Sequence, residues 1–251
     1  MIRFEKVSFR YQDPKQKETS SVFEEVSFCF KKGERAALIG TNGSGKSTLA
    51  MCAAGLLLPT AGEVSVNDIS TKSGSVEIQR YVGLLFQNSE MQSVGITVEE
   101  DLAFGLENMG VSREEMRLRI QEVARSFGLV PYLSASIHTL SGGIRQKLSL
   151  AGVLVMNPDF IILDEPTSHL DPWARKDVWE EIERLQKEHG IGVLLISQSP
   201  YDLERVSRIL VLHQKCLVFD GPADELWKKS GLVEWGIPIP EGIRLKNFPH
   251  D

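Results

Sequence analysis

The sequence predicts an α/β fold with a mixed central sheet, an antiparallel β subdomain and a helical subdomain. Three observations predict it. An apolar strand, residues 36–39, leads into a glycine-rich loop and then a helical segment that stops at Gly55. A second apolar run, residues 160–163, is continuous, as in a parallel strand buried on both faces. Residues 1–32 alternate apolar and polar positions in two strands, which is typical of an antiparallel sheet.

The glycine-rich loop, residues 40–48, fits the pattern G-x-x-x-x-G-K-[ST] at every position. Its glycines let backbone N–H groups converge on phosphate oxygens, and the start of the following helix adds a partial positive charge. In this pattern Lys46 reaches the β- and γ-phosphates, and the hydroxyl of Ser47 ligates Mg²⁺. The loop therefore predicts a nucleotide-phosphate site formed by Asn42, Gly43, Ser44, Gly45, Lys46, Ser47 and Thr48.

The second apolar run ends in two acids, Asp164 and Glu165. Carboxylates at the carboxyl end of a parallel strand face the crevice where open α/β sheets bind ligands. Asp164 suits the coordination shell of Mg²⁺, and Glu165 suits a general base that polarises the attacking water. The alternative interpretation is a strand that simply ends in two solvated acids.

The stretch Leu140-Ser141-Gly142-Gly143 is named the signature below. Together with it, these motifs resemble the ATP-binding subunit of an ABC transporter, a P-loop NTPase, over nearly the whole chain. The resemblance implies an ATPase that uses ATP and Mg²⁺. It implies that Gln87 contacts Mg²⁺ and links the site to a membrane partner. It also implies that two subunits face head to tail, so that Ser141, Gly142 and Gly143 complete the nucleotide site of the other subunit. The stretch 168–171 matches the family's loop after the acidic strand.

The resemblance covers two further positions, Tyr11 and Ile144. Tyr11 lies where the family places an aromatic ring against adenine, but a tyrosine that ends a strand is as often a packing residue. Ile144 stands where the family signature usually carries glutamine. We treat Ile144 as a modest perturbation, because it opens a segment, residues 144–156, whose apolar positions suit a helix.

Gln198 departs from the family pattern at a position that bears on mechanism, because the family places there a histidine that faces the γ-phosphate. A glutamine amide can donate a hydrogen bond to a phosphate oxygen, but it cannot become cationic or shuttle a proton. One hypothesis is that the site built on Lys46 hydrolyses ATP slowly or not at all, and the other is that glutamine substitutes adequately. The candidate catalytic residues are thus Glu165, Lys46 and Gln198, and the candidate Mg²⁺ ligands are Ser47, Gln87 and Asp164.

Residues 87–92 and 97–108 resemble the energy-coupling factor (ECF) group, which imports vitamins or transition-metal ions. Ser89 and Met91 depart from the proline and asparagine usual in that group. The resemblance implies three partners: a second ATPase subunit, a transmembrane coupling protein and a substrate-binding membrane subunit. Since the first hypothesis for Gln198 weakens one of the two sites, we expect a heterodimer rather than a homodimer.

The domain boundaries follow from the sequence pattern and from the same resemblance. We expect a nucleotide-binding domain over residues 1–230, with a helical subdomain at about 88–157, and a C-terminal extension over 231–251. In the ECF group this extension helps to hold two ATPase subunits together. The alternative is a proline-rich, partly disordered end, although Leu232, Trp235 and Ile237 offer more apolar surface than disorder needs.

Local signals predict several elements. Ser112-Arg-Glu-Glu115 is a capping box that opens a helix ending near Gly128, and a second helix runs from Pro172 to Gly190. Residues 62–68 predict an edge strand and a turn. Four acids, Glu90, Glu99, Glu100 and Asp101, are candidates to grip arginines of the coupling protein, and the alternative is a solvated helix start rich in acids.

Composition agrees with an intracellular ATPase. The chain has 251 residues, and its formal charge of -6 argues against a nucleic-acid surface. Its three cysteines are few and odd in number, which suggests a reducing cytosol. The sequence opens on a strand pattern rather than a signal peptide, and no apolar run approaches the roughly 20 residues that span a bilayer. We therefore expect a peripheral protein at the cytoplasmic face of the membrane. Two other functions stay open: a soluble ABC ATPase, for example in metal-cluster assembly, and a regulatory subunit that binds ATP without hydrolysing it.

Overall fold

The computed structural model describes residues 1–11, 20–87, 92–167 and 170–237. The strands are β1 Ile2–Arg10, β2 Ser21–Phe30, β3 Arg35–Ile39, β4 Ala61–Val66, β5 Ile69–Ser70, β6 Val82–Leu85, β7 Phe160–Asp164, β8 Gly192–Ile196, β9 Arg208–His213 and β10 Cys216–Pro222. The helices are α1 Lys46–Ala53, α2 Thr71–Ile78, α3 Val98–Asn108, α4 Arg113–Ser126, α5 Gly142–Leu154, α6 Pro172–His189, α7 Pro200–Leu203 and α8 Ala223–Leu226. Short 3₁₀ turns span Val130–Tyr132, Ile137–Thr139 and Ser230–Leu232.

The chain divides into two compact units. The first unit joins Met1–Ile78 to Leu194–Asp251, and the second is Gln79–Val193. The boundary falls within β8. The polar stretch 12–21, which we expected to form a long turn, lies almost wholly outside the described residues.

An antiparallel sheet in the first unit has the strand order β2-β1-β4-β5. Ile2 on β1 pairs with Phe30 on one side and with Val66 on the other, and alternate residues of β1 are buried, as the alternating sequence predicts. The turn after β4 uses Asn67 and Asp68, both at positive φ, which suits a tight hairpin. The predicted strand and turn over residues 62–68 are confirmed, but the strand is not at the edge of the sheet, because the short strand β5 lies outside β4.

The first unit also contains parallel and antiparallel pairs that share β9. Strand β9 pairs in parallel with β3 and antiparallel with β10. Arg208 at the start of β9 donates to Glu34 at 2.7 Å and to Asp220 at 2.6 Å. The hydrogen bond to Asp220, more than any other contact, raises the pKa of the Arg208 guanidinium. This arrangement confirms the expected mixed sheet and places β9 beside β3, the strand that leads into the phosphate loop.

In the second unit, β6 and β7 pair in parallel, with Leu85 opposite Leu163. All five residues of β7 are buried, as the continuous apolar run predicts. Both strands end at the same edge of the sheet. Gln87, two residues after β6, and Asp164, the last residue of β7, are therefore brought to one edge.

Helix termini follow the expected signals with one difference. Asp171 caps α6, Pro172 occupies its first turn and Gly190 ends it at a φ of 64°, as predicted. Ser112 caps α4 by accepting from the N–H of Glu115 at 3.3 Å. A reciprocal capping box occurs at Thr97 and Glu100, at the start of α3, where we did not predict one. None of the helices in the part of the chain that the structure describes is long and apolar enough to cross a bilayer.

Candidate nucleotide site

The phosphate loop, residues 40–48, lies between β3 and the start of α1, as its sequence predicts. Gly40, Gly43 and Gly45 have φ angles of 153°, 79° and 101°, which L side chains rarely adopt. A Cβ atom at Gly40 would lie 2.2 Å from the carbonyl oxygen of Leu212. A Cβ atom at Gly45 would lie 2.7 Å from Cγ1 of Val22. Local conformation and close packing therefore both require glycine in this loop.

Lys46 closes the loop on itself. Its ammonium group donates to the carbonyl oxygen of Gly40 at 2.8 Å and to that of Thr41 at 2.9 Å, and the side chain is buried. The hydroxyl of Ser44 is also buried, and it has no hydrogen-bond partner among the described residues. A buried hydroxyl without a partner is costly unless a ligand supplies one. The polar lining of the loop thus fits a bound nucleotide phosphate.

Gln198 contacts the same carbonyl group as Lys46. Its Nε2 donates to the oxygen of Gly40 at 2.9 Å. The turn that carries Gln198 is held by Ser197, whose hydroxyl donates to the buried carboxylate of Asp202 at 2.8 Å and accepts from the N–H of Ser199 at 3.0 Å. The structure therefore brings Gln198 to the phosphate loop, where the family resemblance places it.

Tyr11 also contacts this region through its hydroxyl group. The hydroxyl oxygen lies 3.2 Å from Oγ1 of Thr48, and the ring meets Phe9 edge to face at 4.9 Å between centroids. The residue is 51 % exposed. One part of Tyr11 is thus anchored to the first turn of α1 while much of the ring is accessible, which is compatible with both of the roles expected for it.

In the second unit, the acidic residues stand at the end of β7. Asp164 is buried, and Glu165 has a φ of 52°, a left-handed conformation that is strained for a residue with a side chain. The next residue, Pro166, accepts a hydrogen bond at 2.7 Å from the side chain of Gln146 on α5. The backbone at Glu165 is therefore held from the helix that the signature opens.

The signature lies at the N-terminus of that helix. Ser141 is the N-cap of α5, and its hydroxyl accepts from the N–H of Ile144 at 3.4 Å. The helix begins at Gly142, two residues before the segment expected from apolar spacing. A Cβ atom at Gly142 or Gly143 would meet no other atom within 4 Å among the described residues. The packing of this chain does not require glycine there, so the two glycines leave open space before the positive end of a helix.

Gln87 is exposed, two residues after β6. Gln92 bonds to the end of β6 and the residue after it: its Nε2 donates to the carbonyl oxygen of Leu84 at 3.1 Å, and its Oε1 accepts from the N–H of Phe86 at 3.0 Å. The predicted departures Ser89 and Met91 lie outside the described residues, as does Glu90.

Two of the other acids expected to meet a membrane partner, Glu100 and Asp101, already have partners in the chain. Oδ1 of Asp101 accepts from the N–H groups of Val94 and Gly95, at 2.7 and 3.0 Å. Oε2 of Glu100 accepts from the N–H groups of Ile96 and Thr97, both at 3.0 Å. These carboxylates bind the preceding loop, residues 94–97, to the start of α3. This arrangement favours the interpretation of an acidic helix start for Glu100 and Asp101.

Several of these positioning residues were missed from the sequence. Gln146 had a signal, since it is a polar residue at helical spacing from the apolar Leu150 and Val153. The capping box at Thr97 had one too, because Thr97-Val-Glu-Glu100 fits the pattern S/T-x-x-E. Gln92 and the pair Ser197 and Asp202 had none, because their contacts depend on how the backbone turns.

The fold and the site define an ATP-binding cassette. The family described as ABC transporter matches residues 23–168, more than half of the chain. The protein therefore belongs to the ABC transporter family and is an ATPase, as the sequence resemblance implied.

Comparison with individual relatives identifies the type of ABC ATPase. The chain is 40 % identical over 248 residues to the energy-coupling factor transporter ATP-binding protein EcfA1 of Caldanaerobacter subterraneus subsp. tengcongensis, covering 98 % of this chain and 89 % of that one. It is 38 % identical over 250 residues to EcfA1 of Bacillus subtilis strain 168, covering 99 % and 88 %. The protein thus belongs to the ECF-type ATP-binding subunits, as the resemblance over residues 87–108 implied.

Solved structures agree with this fold. The ATP-binding cassette MJ0796, in a dimeric post-hydrolysis state with ADP and phosphate bound, is 26 % identical, with a TM-score of 0.80 over 89 % of this chain and 99 % of that chain. The protein cbiO1 of Clostridium perfringens, described as part of the ABC transporter complex cbiONQ, has a TM-score of 0.79 at 24 % identity, over 99 % and 95 %. The second likeness shows the fold alone.

Proposed function

We propose that this ATPase powers the import of a vitamin or a transition-metal ion from the cytoplasmic face of the membrane. It acts through a transmembrane coupling protein and a substrate-binding membrane subunit. The observation that carries the proposal is the 40 % identity to an EcfA1 protein over 98 % of the chain. The alternative of a soluble ATPase in metal-cluster assembly gains no support from the relatives, which are named as transporter subunits.

ATP binds with its phosphates in the loop of residues 40–48. When ATP binds, the Lys46 ammonium group replaces at least one of its hydrogen bonds to the loop carbonyls with a hydrogen bond to a phosphate oxygen. The hydroxyl of Ser44 gains a hydrogen-bond partner from the same phosphates. Ser47, Gln87 and Asp164 offer hydroxyl, amide and carboxylate oxygens, the ligand types that Mg²⁺ prefers. Bound Mg²⁺ would neutralise charge on the transferring phosphoryl group. Asn42 to Thr48 supply the remaining contacts, and Tyr11 stacks on the adenine.

Glu165 acts as the general base that orients the attacking water. Its left-handed conformation and the hydrogen bond from Gln146 to Pro166 fix the backbone from which the carboxylate extends. Glu165→Gln should lower the turnover by about 10²- to 10⁴-fold and leave ATP binding intact. Glu180→Gln, on the exposed face of α6, is the control. Wild-type turnover in Glu165→Gln would contradict the role, provided that the partner's own site has been inactivated.

Two ATPase subunits form the working unit, and we favour a heterodimer. The open space at Gly142 and Gly143 supports a signature that receives the partner's nucleotide, while Gln198 faces this chain's own phosphate loop. This chain would thus help its neighbour to hydrolyse ATP better than it does so itself. In the extreme case, this chain binds ATP without hydrolysing it and acts as a regulatory subunit. Gln198 is the observation that favours this case.

The surface that meets the coupling protein includes the loop of residues 94–97. Val94 and Ile96 are 61 % and 72 % exposed, and Phe104 on α3 is 45 % exposed. Apolar side chains presented on a loop that carboxylates hold in place suit an apolar partner helix. The C-terminal extension, residues 231–251, remains our candidate for contact between the two ATPase subunits.

Purification from native membranes tests the proposal as a whole. A tagged copy of the chain should carry with it a second, homologous ATPase and two membrane proteins, one of which binds the transported substrate. Recovery of the chain alone from the soluble fraction, with full ATPase activity, would support a soluble ATPase instead. Recovery of identical ATPase subunits only would exclude the heterodimer and leave the transport function standing.

A further inference from the structure

The last described stretch of the chain, residues 231–237, forms a tight helical turn that we name the C-terminal turn. The N–H of Gly236 donates to the carbonyl of Val233 at 3.0 Å, and the N–H of Ile237 donates to that of Leu232 at 2.9 Å. With Gly236 at a φ of 67°, this is the Schellman pattern, in which the two apolar residues at its ends pack together. Leu232 and Ile237 are accordingly buried, with exposed fractions of 2 % and 7 %.

The C-terminal turn packs against the start of the phosphate loop. A Cβ atom at Gly236 would lie only 2.6 Å from Cγ2 of Thr41, the second residue of the loop. A cavity of about 10 Å³ beside it is lined by Ile39, Gly40, Gln198, Leu203, Gly236 and Ile237. A space of this size holds about one water molecule at most. Gly236 and Ile237 therefore lie directly on the loop, with little room for movement between them.

The residues touched by the turn are those that hold Lys46. The Lys46 ammonium group donates to the carbonyl groups of both Gly40 and Thr41, and the carbonyl of Gly40 also accepts from Gln198. A displacement of Thr41 therefore changes the position of the charge that would meet the β- and γ-phosphates. Thr41 cannot easily move its methyl group aside, because a β-branched side chain has few χ1 positions.

We infer that the C-terminal turn is a positioning element of the ATP site, in which Gly236 and Ile237 fix Gly40 and Thr41 and so set the position of Lys46. The inference rests on the proposed binding of ATP at this loop. It gives the apolar residues of the C-terminal extension a role within their own chain. Because coupling between two sites is reciprocal, ATP binding should in turn hold the C-terminal turn in place.

The test is Gly236→Ala in the full chain, with affinity for a fluorescent ATP analogue as the readout. The added methyl group must displace Thr41, and the affinity should fall about tenfold, which corresponds to about 1.4 kcal/mol. The matched control is Gly110→Ala. Gly110 has nearly the same φ, 70°, but a Cβ atom there would meet nothing within 4 Å among the described residues. The control should therefore change the affinity less than twofold.

A second comparison separates positioning from a general loss of structure. In the background of Thr41→Ser, which removes the methyl group that Gly236→Ala would strike, Gly236→Ala should cost less than threefold in affinity. The inference is overturned by a folded Gly236→Ala variant with unchanged affinity, by an equal loss in Gly110→Ala, or by a loss that Thr41→Ser does not relieve. Should Gly236→Ala not fold, Ile237→Ala against the exposed Val233→Ala gives the same comparison: a loss confined to Ile237→Ala supports the inference, and equal affinities overturn it.

The outcome is distinguishable from failure of the proposed function. If neither the wild-type chain nor Lys46→Ala binds the ATP analogue, the proposed nucleotide site is itself wrong. If the wild type binds and Lys46→Ala does not, the site stands, and the Gly236 variants then report on the C-terminal turn alone.

Discussion

The side-chain nitrogen Nε2 of Gln146 lies 2.7 Å from the carbonyl oxygen of Pro166. Gln146 is buried on α5, the helix opened by the signature, and Pro166 directly follows the candidate base Glu165. One hydrogen bond therefore joins the helix that the signature opens to the backbone beside the candidate base. The bond offers a physical route by which contact at the signature changes the position of Glu165.

Replacing Gln146 by methionine keeps the length of the side chain and removes the donor. The Pro166 carbonyl loses this hydrogen bond, which costs about 1–3 kcal/mol of unfolding free energy. We expect the turnover to fall roughly 10- to 100-fold because the base is misplaced, with ATP affinity nearly unchanged. Steady-state kinetics and urea unfolding measure the two effects.

The control for Gln146→Met is Lys147→Gln at the next position. Lys147 forms an ion pair with Asp177 at 3.2 Å on the surface, and such pairs contribute about 0–1 kcal/mol. A Gln146→Met variant with wild-type turnover would show that the bond to Pro166 does not position Glu165.

Local sequence signals predicted the elements that carry the site. The phosphate loop, the buried strand β7 and both ends of α6 lie where glycine spacing, apolar runs and capping residues place them. These signals succeed because each depends on a backbone conformation or a burial that neighbouring residues determine. Composition and motif order were sufficient to predict the family, since the phosphate loop, the signature and the acids at the end of β7 occur in the order that ABC proteins share.

Contacts between distant residues were not predictable in the same way. Gln198 and Gly40 are joined by a hydrogen bond across 158 positions, and no local pattern indicates it. The apolar residues of the C-terminal turn were interpreted as available surface, but Leu232 and Ile237 are buried in their own unit. An apolar residue in a short segment has to be buried somewhere, and the sequence does not say against which neighbour.

Gln198→His tests whether glutamine weakens this chain's own site. A histidine restores a group that can carry a proton at neutral pH, so turnover at the Lys46 site should rise at least about tenfold. The measurement uses an assembled transporter in which the partner's phosphate-loop lysine is replaced, so that only the Lys46 site hydrolyses ATP. Equal turnover of Gln198 and Gln198→His proteins would mean that glutamine substitutes adequately.

Asp101→Ala tests how the loop of residues 94–97 is held. The variant loses the hydrogen bonds to the N–H groups of Val94 and Gly95, and we expect the unfolding free energy to fall by about 1–2 kcal/mol. Because the loop then presents Val94 differently, co-purification with the coupling protein should also decrease. Glu99→Ala, at an exposed neighbouring position, should leave both unchanged. An equal loss of co-purification in Glu99→Ala would instead support acids that grip the partner's arginines.

Cys52 on α1 gives a pH-dependent test of the core beneath the phosphate loop. Burial raises the pKa of the Cys52 thiol to about 12. The unfolded chain releases this proton near pH 9 while the folded chain keeps it, so ionisation stabilises only the unfolded state. Stability contributed by the neutral thiol is therefore fully present below pH 9 and is lost as the pH rises towards 12, by up to about 1.4 kcal/mol per pH unit.

The measurement is urea unfolding of the wild type and of Cys52→Ala at pH 8, 9 and 10. Cys52→Ala is the less stable protein at pH 8, because it leaves a small cavity, but its stability should fall less steeply above pH 9. Cys216→Ala, which removes an exposed thiol, should follow the slope of the wild type. Identical slopes in the wild type and Cys52→Ala would mean that Cys52 is solvated in the folded chain, and a thiol reagent would then label it without denaturant. Labelling that reaches Cys52 only after unfolding supports a rigidly packed α1 behind the loop that holds Lys46.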